Sequence, residues 1–295
     1  MTRPILLLVN PAARGGHSRE LSAAARAELQ LMGVDHRVIE SRSLGHAREE
    51  AQAAASDGHL VAACGGDGFI GAVAGGVHGT DGALAVVPAG RGNDFARVLG
   101  IPTEPREAVR LAVGGTEKML DMATCNGKPF VCIASLGFDS DANRIANETT
   151  VVKGNLVYLY AALKALWEWK PAHYEVVVDG ERHAVTGYSV AIGNSKAYGG
   201  GMYALPDAEL DDGLLDGGFV SGELSKIGFV TQVLARIFNG THVNADAVTS
   251  LRGRRFEVSS DRQFTVYADG DPIADTPCTI EVVPGCLRVV VPSQP

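Results

Sequence analysis

Residues 60–76 read LVAACGGDGFIGAVAGG, an unbroken apolar run that ends on a single carboxylate, Asp67, set among Gly65, Gly66 and Gly68. No other stretch limits the fold as much. An apolar run without alternation suits a strand covered on both faces, the situation of parallel sheets. Glycine loses more conformational freedom on folding than any other residue, so glycines packed around one acid imply a turn whose backbone must be approached closely. Backbone N–H groups bared in this way can cradle phosphate. A lone acid beside them can hold a hydrated cation.

The surrounding sequence supplies the rest of a parallel sheet. Residues 5–9 form another continuous apolar run, and Ser18 can cap a helix over 18–32 that stops at Gly33. Strands at 34–40, 60–64 and 83–87 then alternate with helices at 47–56, 70–77 and 93–99. This βαβα order predicts a parallel sheet with helices on its faces. From about residue 120 strand-like runs dominate, at 130–134, 174–178, 188–192, 214–220, 255–258, 264–268, 279–283 and 287–291. Turn formers such as Asp179-Gly180 and Asp212-Gly213 separate them, which predicts an antiparallel second domain, a sandwich or a barrel. Helices are expected at 156–169 and 224–238. The expected division is an α/β domain over 1–123 and a second domain over 124–295, the last residues being able to return to the first.

The 295 residues give room for two cores. A formal net charge of -8 argues against nucleic acid as a partner. No stretch reaches the ~20 uncharged apolar residues that span a bilayer, and MTRPILLLVNP reads as a first strand rather than a leader. The five cysteines, Cys64, Cys125, Cys132, Cys278 and Cys286, are scattered without a C-x-x-C pair, as expected for reduced thiols of a cytoplasmic protein.

A second loop reinforces the first. Residues 88–97, PAGRGNDFAR, again set glycines and an acid after an apolar strand. Two such loops on neighbouring parallel strands would share one crevice, where Asp67 and Asp94 could hold a Mg²⁺–water cluster. The segment Asn10, Pro11, Ala12, Ala13, Arg14, Gly15, Gly16 after the first strand would make a third wall. The run Gly66 to Gly71 formally matches the dinucleotide fingerprint G-x-G-x-x-G. It follows the third strand, however, and the next strand ends at Pro88-Ala89-Gly90-Arg91 without a ribose-binding acid. A P-loop is excluded, because no G-x-x-x-x-G-K-[ST] occurs.

Together, GGDG, P-x-G-x-G-N-D-F-A-R and the opening N-P-x-x-x-G resemble the catalytic domain shared by diacylglycerol kinases and sphingosine kinases. The resemblance continues through residues 130–139, Lys153-Gly154 with Tyr158, Tyr198-Gly199-Gly200-Gly201, residues 206–216 and Asp269-Gly270-Asp271. It implies an ATP-binding α/β domain, a C-terminal β-sandwich and catalysis between them. Carried over residue by residue, Asn10 to Arg14, Gly65, Gly66, Asp67, Gly68, Phe69, Gly90, Arg91, Gly92, Asn93 and Asp94 would bind nucleotide. Asp67 would organise the Mg²⁺–ATP water network, and Asp271 would be the base that accepts the lipid hydroxyl proton. The Asp212 carboxylate with the carbonyls of Glu209 and Leu214 would hold a structural magnesium.

Three residues depart from the family pattern. Phe69 and Arg91 stand where the family has threonine, and Asp271 stands in place of glutamate. The activity implied is ATP-dependent phosphorylation of diacylglycerol by a cytoplasmic protein in peripheral, reversible contact with the inner membrane face, with a homodimer compatible. NAD kinase, a sphingosine or glycolipid kinase, and a catalytically weak nucleotide-binding regulator are the alternatives.

Residues 156–169 are apolar with Trp167 and Trp169, reading as a helix packed on the second domain or as one that dips into a membrane surface. The cluster Arg252-Gly253-Arg254-Arg255 reads as a solvated turn or a contact for anionic headgroups. The eight histidines show no metal-ligand spacing.

Overall fold

The computed structural model describes residues 3–13, 18–149 and 156–293. Arg14, Gly15, Gly16, Lys153 and Gly154 lie outside the described residues.

The first part builds as its periodicity dictates. Strands β1 (Ile5–Val9), β2 (His36–Glu40), β3 (Leu60–Gly65) and β4 (Ala83–Pro88) pair in parallel in the order β2-β1-β3-β4. Every residue of β1, β3 and β4 is buried, because helices cover both faces. Helix α1 (Ser18–Leu31) packs with α5 (Pro105–Gly114), and α2 (Leu44–Ser56) packs with α3 (Asp67–Val77). The latter pair comes close because Gly76 has no side chain; a Cβ there would fall 2.3 Å from the Arg48 carbonyl oxygen. Since the chain leaves β1 for one helix pair and β3 for the other, the topological switch lies between β1 and β3, at their carboxyl ends. Gly33 follows α1 at φ +65°, as a C-terminal glycine should.

The second part is antiparallel. Strands β7 (Ile133–Gly137), β8 (Ala172–Val178), β9 (Glu181–Gly193), β12 (Arg255–Ser260), β13 (Thr265–Ala268) and β14 (Asp271–Asp275) run along one path, with β10 (Leu215–Ser221) and β11 (Val248–Gly253) paired beside β9. Helices α6 (Phe138–Glu148) and α7 (Leu156–Glu168) pack together against this part. The long strand β15 (Cys278–Val291) joins both regions, antiparallel to β12 and to β5 (Thr116–Cys125), and parallel to β4 at Val289 opposite Leu84. The C-terminal strand thus returns to the parallel sheet. Two buried clusters result, one around β1, β3 and β4 and the other around β7 to β9 and β12.

Several sequence expectations are corrected. The strand expected at 130–134 is broken into β6 (Lys128–Phe130) and β7, because the Asp269 carboxylate accepts the N–H groups of Val131 and Cys132, both at 2.9 Å. The strands expected at 279–283 and 287–291 are one strand with an irregularity near Gly285, at φ +54°. The helix expected at 224–238 is a short turn of helix α8 (Lys226–Gly228), a π-helical turn over Phe229–Leu234 and a 3₁₀ turn over Ile237–Asn239. Gly228 and the β-branched Ile227, Val230, Thr231 and Val233 favour the regular helix weakly. The Ala235 N–H reaches back to the Val230 carbonyl at 2.9 Å, an i→i−5 bond. Helices α5 and α6 went unread in the sequence.

Candidate active site

Gly65 at the end of β3 pairs with Pro88 at the end of β4, so the two glycine loops leave the sheet side by side. Their backbones touch: a Cβ on Gly90 would lie 2.4 Å from Gly66 Cα. Asn93 holds the second loop closed from the left-handed region, at φ 51°. Its Oδ1 accepts the Gly90 N–H at 2.8 Å and its Nδ2 donates to the Gly90 carbonyl at 3.1 Å. Helix α4 (Asp94–Val98) follows directly. On the β1 side, the Asn10 N–H donates to the Cys64 carbonyl at 2.9 Å, and its Oδ1 accepts the Ala12 N–H at 3.0 Å, shaping the turn through Pro11, Ala12 and Ala13.

Gly92 lies between two acids. A Cβ on it would fall 2.8 Å from an Asp94 oxygen and 2.9 Å from an Asp67 oxygen. Asp67 Oδ1 accepts the Phe95 N–H at 3.3 Å. Burial, and then the Asp94 charge, raise the Asp67 pKa against the opposing backbone N–H groups of Asn93, Asp94 and Phe95. Asp94 is committed across the molecule, accepting the N–H groups of Gly200 at 2.8 Å and Gly201 at 2.7 Å. Phe69 turns inward and is buried; its ring fills the space that a Gly65 side chain would need, 2.4 Å from where a Cβ would stand. Only its backbone remains for the loop. Arg91 is exposed.

The second part contributes Asp271. It opens β14 after the tight turn Asp269-Gly270, with φ 52° and 93°. Its carboxylate lies against the first loop: a Cβ on Gly68 would fall 2.0 Å from Asp271 Oδ2. Burial raises its pKa. Gly71, one helical turn beyond Gly68, faces Asp269, whose Oδ2 would stand 2.8 Å from a Cβ there. Asp269 thus ties the β13–β14 hairpin both to α3 and to the N–H groups of Val131 and Cys132; burial pushes its pKa up to about 7.

Sequence reasoning gave Asp269 no role of its own, and the one available signal was a glycine at helical spacing from Gly68. It also missed Asp121. Buried on β5, this residue accepts the N–H groups of Gly213 at 2.6 Å and Gly285 at 2.7 Å, and its carbonyl takes the Asn194 amide at 2.9 Å. A lone Asp in a strand gives no warning of such partners.

Two cation positions can be tested against these donors. At the glycine loops, Asp67 supplies a hard oxygen whose pKa is raised by burial and by Asp94, and a divalent cation fits there chemically. The 206–216 loop differs. Asp212 Oδ1 accepts the Leu214 N–H at 2.9 Å, and the Arg252 guanidinium is ion-paired with Asp212 and reaches Asp216 at 3.5 Å. The arginine already supplies the positive charge, so the donors Glu209, Asp212 and Leu214 do not fit a metal as they stand. Among the described residues no three His, Cys, Asp or Glu side chains converge as a metal site. Of the rest of the basic cluster, Arg255 is paired to Glu257 and Glu281.

The diacylglycerol kinase catalytic domain model matches residues 4–125, and the YegS C-terminal NAD kinase beta sandwich-like domain model matches residues 132–291. The fold and site therefore define a class: a two-part kinase with a glycine-loop α/β part and a β-sandwich part. The chain is 33% identical over 296 residues to a diacylglycerol kinase from Mycobacterium tuberculosis, covering 98% of this chain and 95% of that one. It is 30% identical over 297 residues to a Pseudomonas aeruginosa protein named probable lipid kinase YegS-like, covering 99% and 96%. The crystal structure of a diacylglycerol kinase from Bacillus anthracis superposes with a TM-score of 0.73 at 22% identity over 98% of this chain and 97% of that one, a likeness of fold. The chain belongs to the diacylglycerol kinase/YegS family of lipid kinases. As a kinase of that family it uses ATP. Among the described residues no helix is long and apolar enough to cross a membrane.

Proposed function

We propose that the protein transfers the γ-phosphoryl group of ATP to the free hydroxyl of diacylglycerol, giving phosphatidate and ADP. One observation carries the reading: Asp271, presented by the second part, meets the glycine loop of the first at Gly68. Phosphoryl transfer to an alcohol needs in-line positioning, neutralised charge and a carboxylate near the nucleophile. In the proposed step the acceptor oxygen forms its bond to the γ-phosphorus as the bond to the β–γ bridging oxygen breaks. Asp271 takes the hydroxyl proton, a role favoured by its raised pKa. The loops at Asn10 to Ala13, Gly65 to Phe69 and Gly90 to Asp94 would receive the nucleotide through backbone N–H groups. Asp67 would hold Mg²⁺ through water, and that ion supplies charge neutralisation on the phosphates. A second cation on Asp212 and the carbonyls of Glu209 and Leu214 would require Arg252 to release Asp212. An acceptor that resides in a bilayer calls for reversible membrane contact, and an ATP donor places that contact at the inner, cytoplasmic face.

The deciding experiment is ATP turnover with mixed micelles containing diacylglycerol, compared with sphingosine, a glycolipid and NAD. Diacylglycerol is expected to be the acceptor; NAD phosphorylation, or turnover with none of the four, overturns the reading. Asp271→Ala is expected to lose transfer by about 10²–10⁴-fold with nucleotide binding retained. Full activity in that variant removes Asp271 as the base.

A further inference from the structure

Trp167 is the most exposed large apolar residue described, at 83%, whereas Trp169, two positions on, is buried at 5%. It does not stand alone. Tyr160, Leu163 and Trp167 form one stripe on α7 at helical spacing, all exposed, and Ile227 on α8 and Val230 on the π-helical turn after it are exposed as well. The two elements meet: the Lys226 ammonium contacts the Trp167 carbonyl oxygen. Beneath them a shared aromatic cluster fixes their position. Phe138 contacts both Trp169 and Phe229 edge-on, at 6.1 and 5.0 Å, and Tyr188 stacks on Phe229 at 4.3 Å. The outward stripes are therefore the solvent side of a well-packed platform.

Charge indicates what covers it. The chain is acidic overall, with a net charge of -8, yet the two segments bearing these stripes, 160–170 and 223–238, carry Lys164, Lys170, Lys226 and Arg236 against Glu168 and Glu223. Exposed aromatic and aliphatic side chains rimmed by basic residues match the interface of an anionic bilayer, where indole rings sit at headgroup depth and cations meet phosphates. We propose that the α7–α8 face, centred on Trp167 and Ile227, is the surface by which this protein docks on anionic lipid bilayers. The inference rests on the lipid-kinase reading. It adds where the membrane lies: over the outer side of α7 and α8, which pack through Phe138, Trp169 and Phe229 on the part that carries Asp271.

The test uses the full chain and vesicles made of equal parts phosphatidylcholine and phosphatidylglycerol, against phosphatidylcholine alone. The parent protein should co-float with the anionic vesicles, less so at high salt, and its Trp emission should shift to the blue. With both substitutions Trp167→Glu and Ile227→Glu, at exposed positions, binding should fall by about tenfold or more. Thermal stability and ATP binding should stay unchanged, and the blue shift should vanish because Trp169 is already buried. Equal vesicle binding by the variant, or no binding by the parent, overturns the proposal. So does a parent dimer that the double variant converts to monomer without loss of vesicle binding, since the face would then cover a second copy. Micelle assays separate the two readings. Diacylglycerol turnover with vesicle binding unaffected by the substitutions sinks this surface alone, whereas patch-dependent binding without turnover sinks the kinase assignment alone.

Discussion

Asp271 places its carboxylate in the space that a side chain on Gly68 would occupy, with Oδ2 only 2.0 Å from the Cβ position. A residue from the antiparallel part thus closes on the first turn of α3, and the absence of one methyl group permits it. Gly68→Ala is expected to keep the fold, since alanine suits a helix better than glycine, and to displace the carboxylate. Diacylglycerol phosphorylation should drop by about 100-fold or more, within the span of a mispositioned base. Steady-state kinetics with parallel circular dichroism check it; activity near that of the parent would show that the contact is dispensable.

The two halves are strapped together by Asp94. Its two oxygens accept the N–H groups of Gly200 and Gly201, and Asp94 is buried. Asp94→Ala leaves those amides unpaired and should lower stability by about 1.5–3 kcal/mol, the range for hydrogen bonds to a buried charge. Asp94→Asn keeps an acceptor and should recover part of the loss. Urea unfolding of the three proteins measures the order.

Arg252 sets its guanidinium against the acids of the 206–216 loop. With its guanidinium on Asp212 and near Asp216, the thermal midpoint of the parent should be insensitive to exchange of magnesium for EDTA. Arg252→Ala should lose about 1 kcal/mol, as a partly exposed pair does, and should gain a magnesium-dependent rise in midpoint. EDTA sensitivity that the Arg252→Ala substitution leaves unchanged would instead mean that the arginine does not control metal binding in this loop.

Asp139 gives a pH signature. Burial pushes its carboxyl from 3.8 up to about 6, opposed by the Tyr198 hydroxyl donating at 3.0 Å; Tyr174 and Tyr198 are the titratable groups that feel it most. A carboxyl whose folded pKa is raised binds its proton more tightly when folded, so unfolding releases it between these values. Stability from this group is full below pH 3.8, declines as pH climbs to about 6, and is level above. Asp139→Asn should flatten that slope. Midpoints measured across the interval for both proteins decide it.

Much of this was legible in the chain itself. The continuous apolar runs at 5–9, 60–64 and 83–87 required a covered parallel sheet, and the paired glycine turns after two of them required backbone access at the carboxyl ends of those strands, because period and glycine placement are local properties. What folding alone decided involves residues far apart in sequence. Asp269 broke the strand expected at 130–134 by taking two amides 138 and 137 positions away. Asp121 found Gly213 and Gly285, Arg252 claimed Asp212, and of two tryptophans alike in sequence context one went into the core and the other to the surface. A side chain's type states what it can bond, but partner and exposure depend on long-range packing that no local pattern encodes.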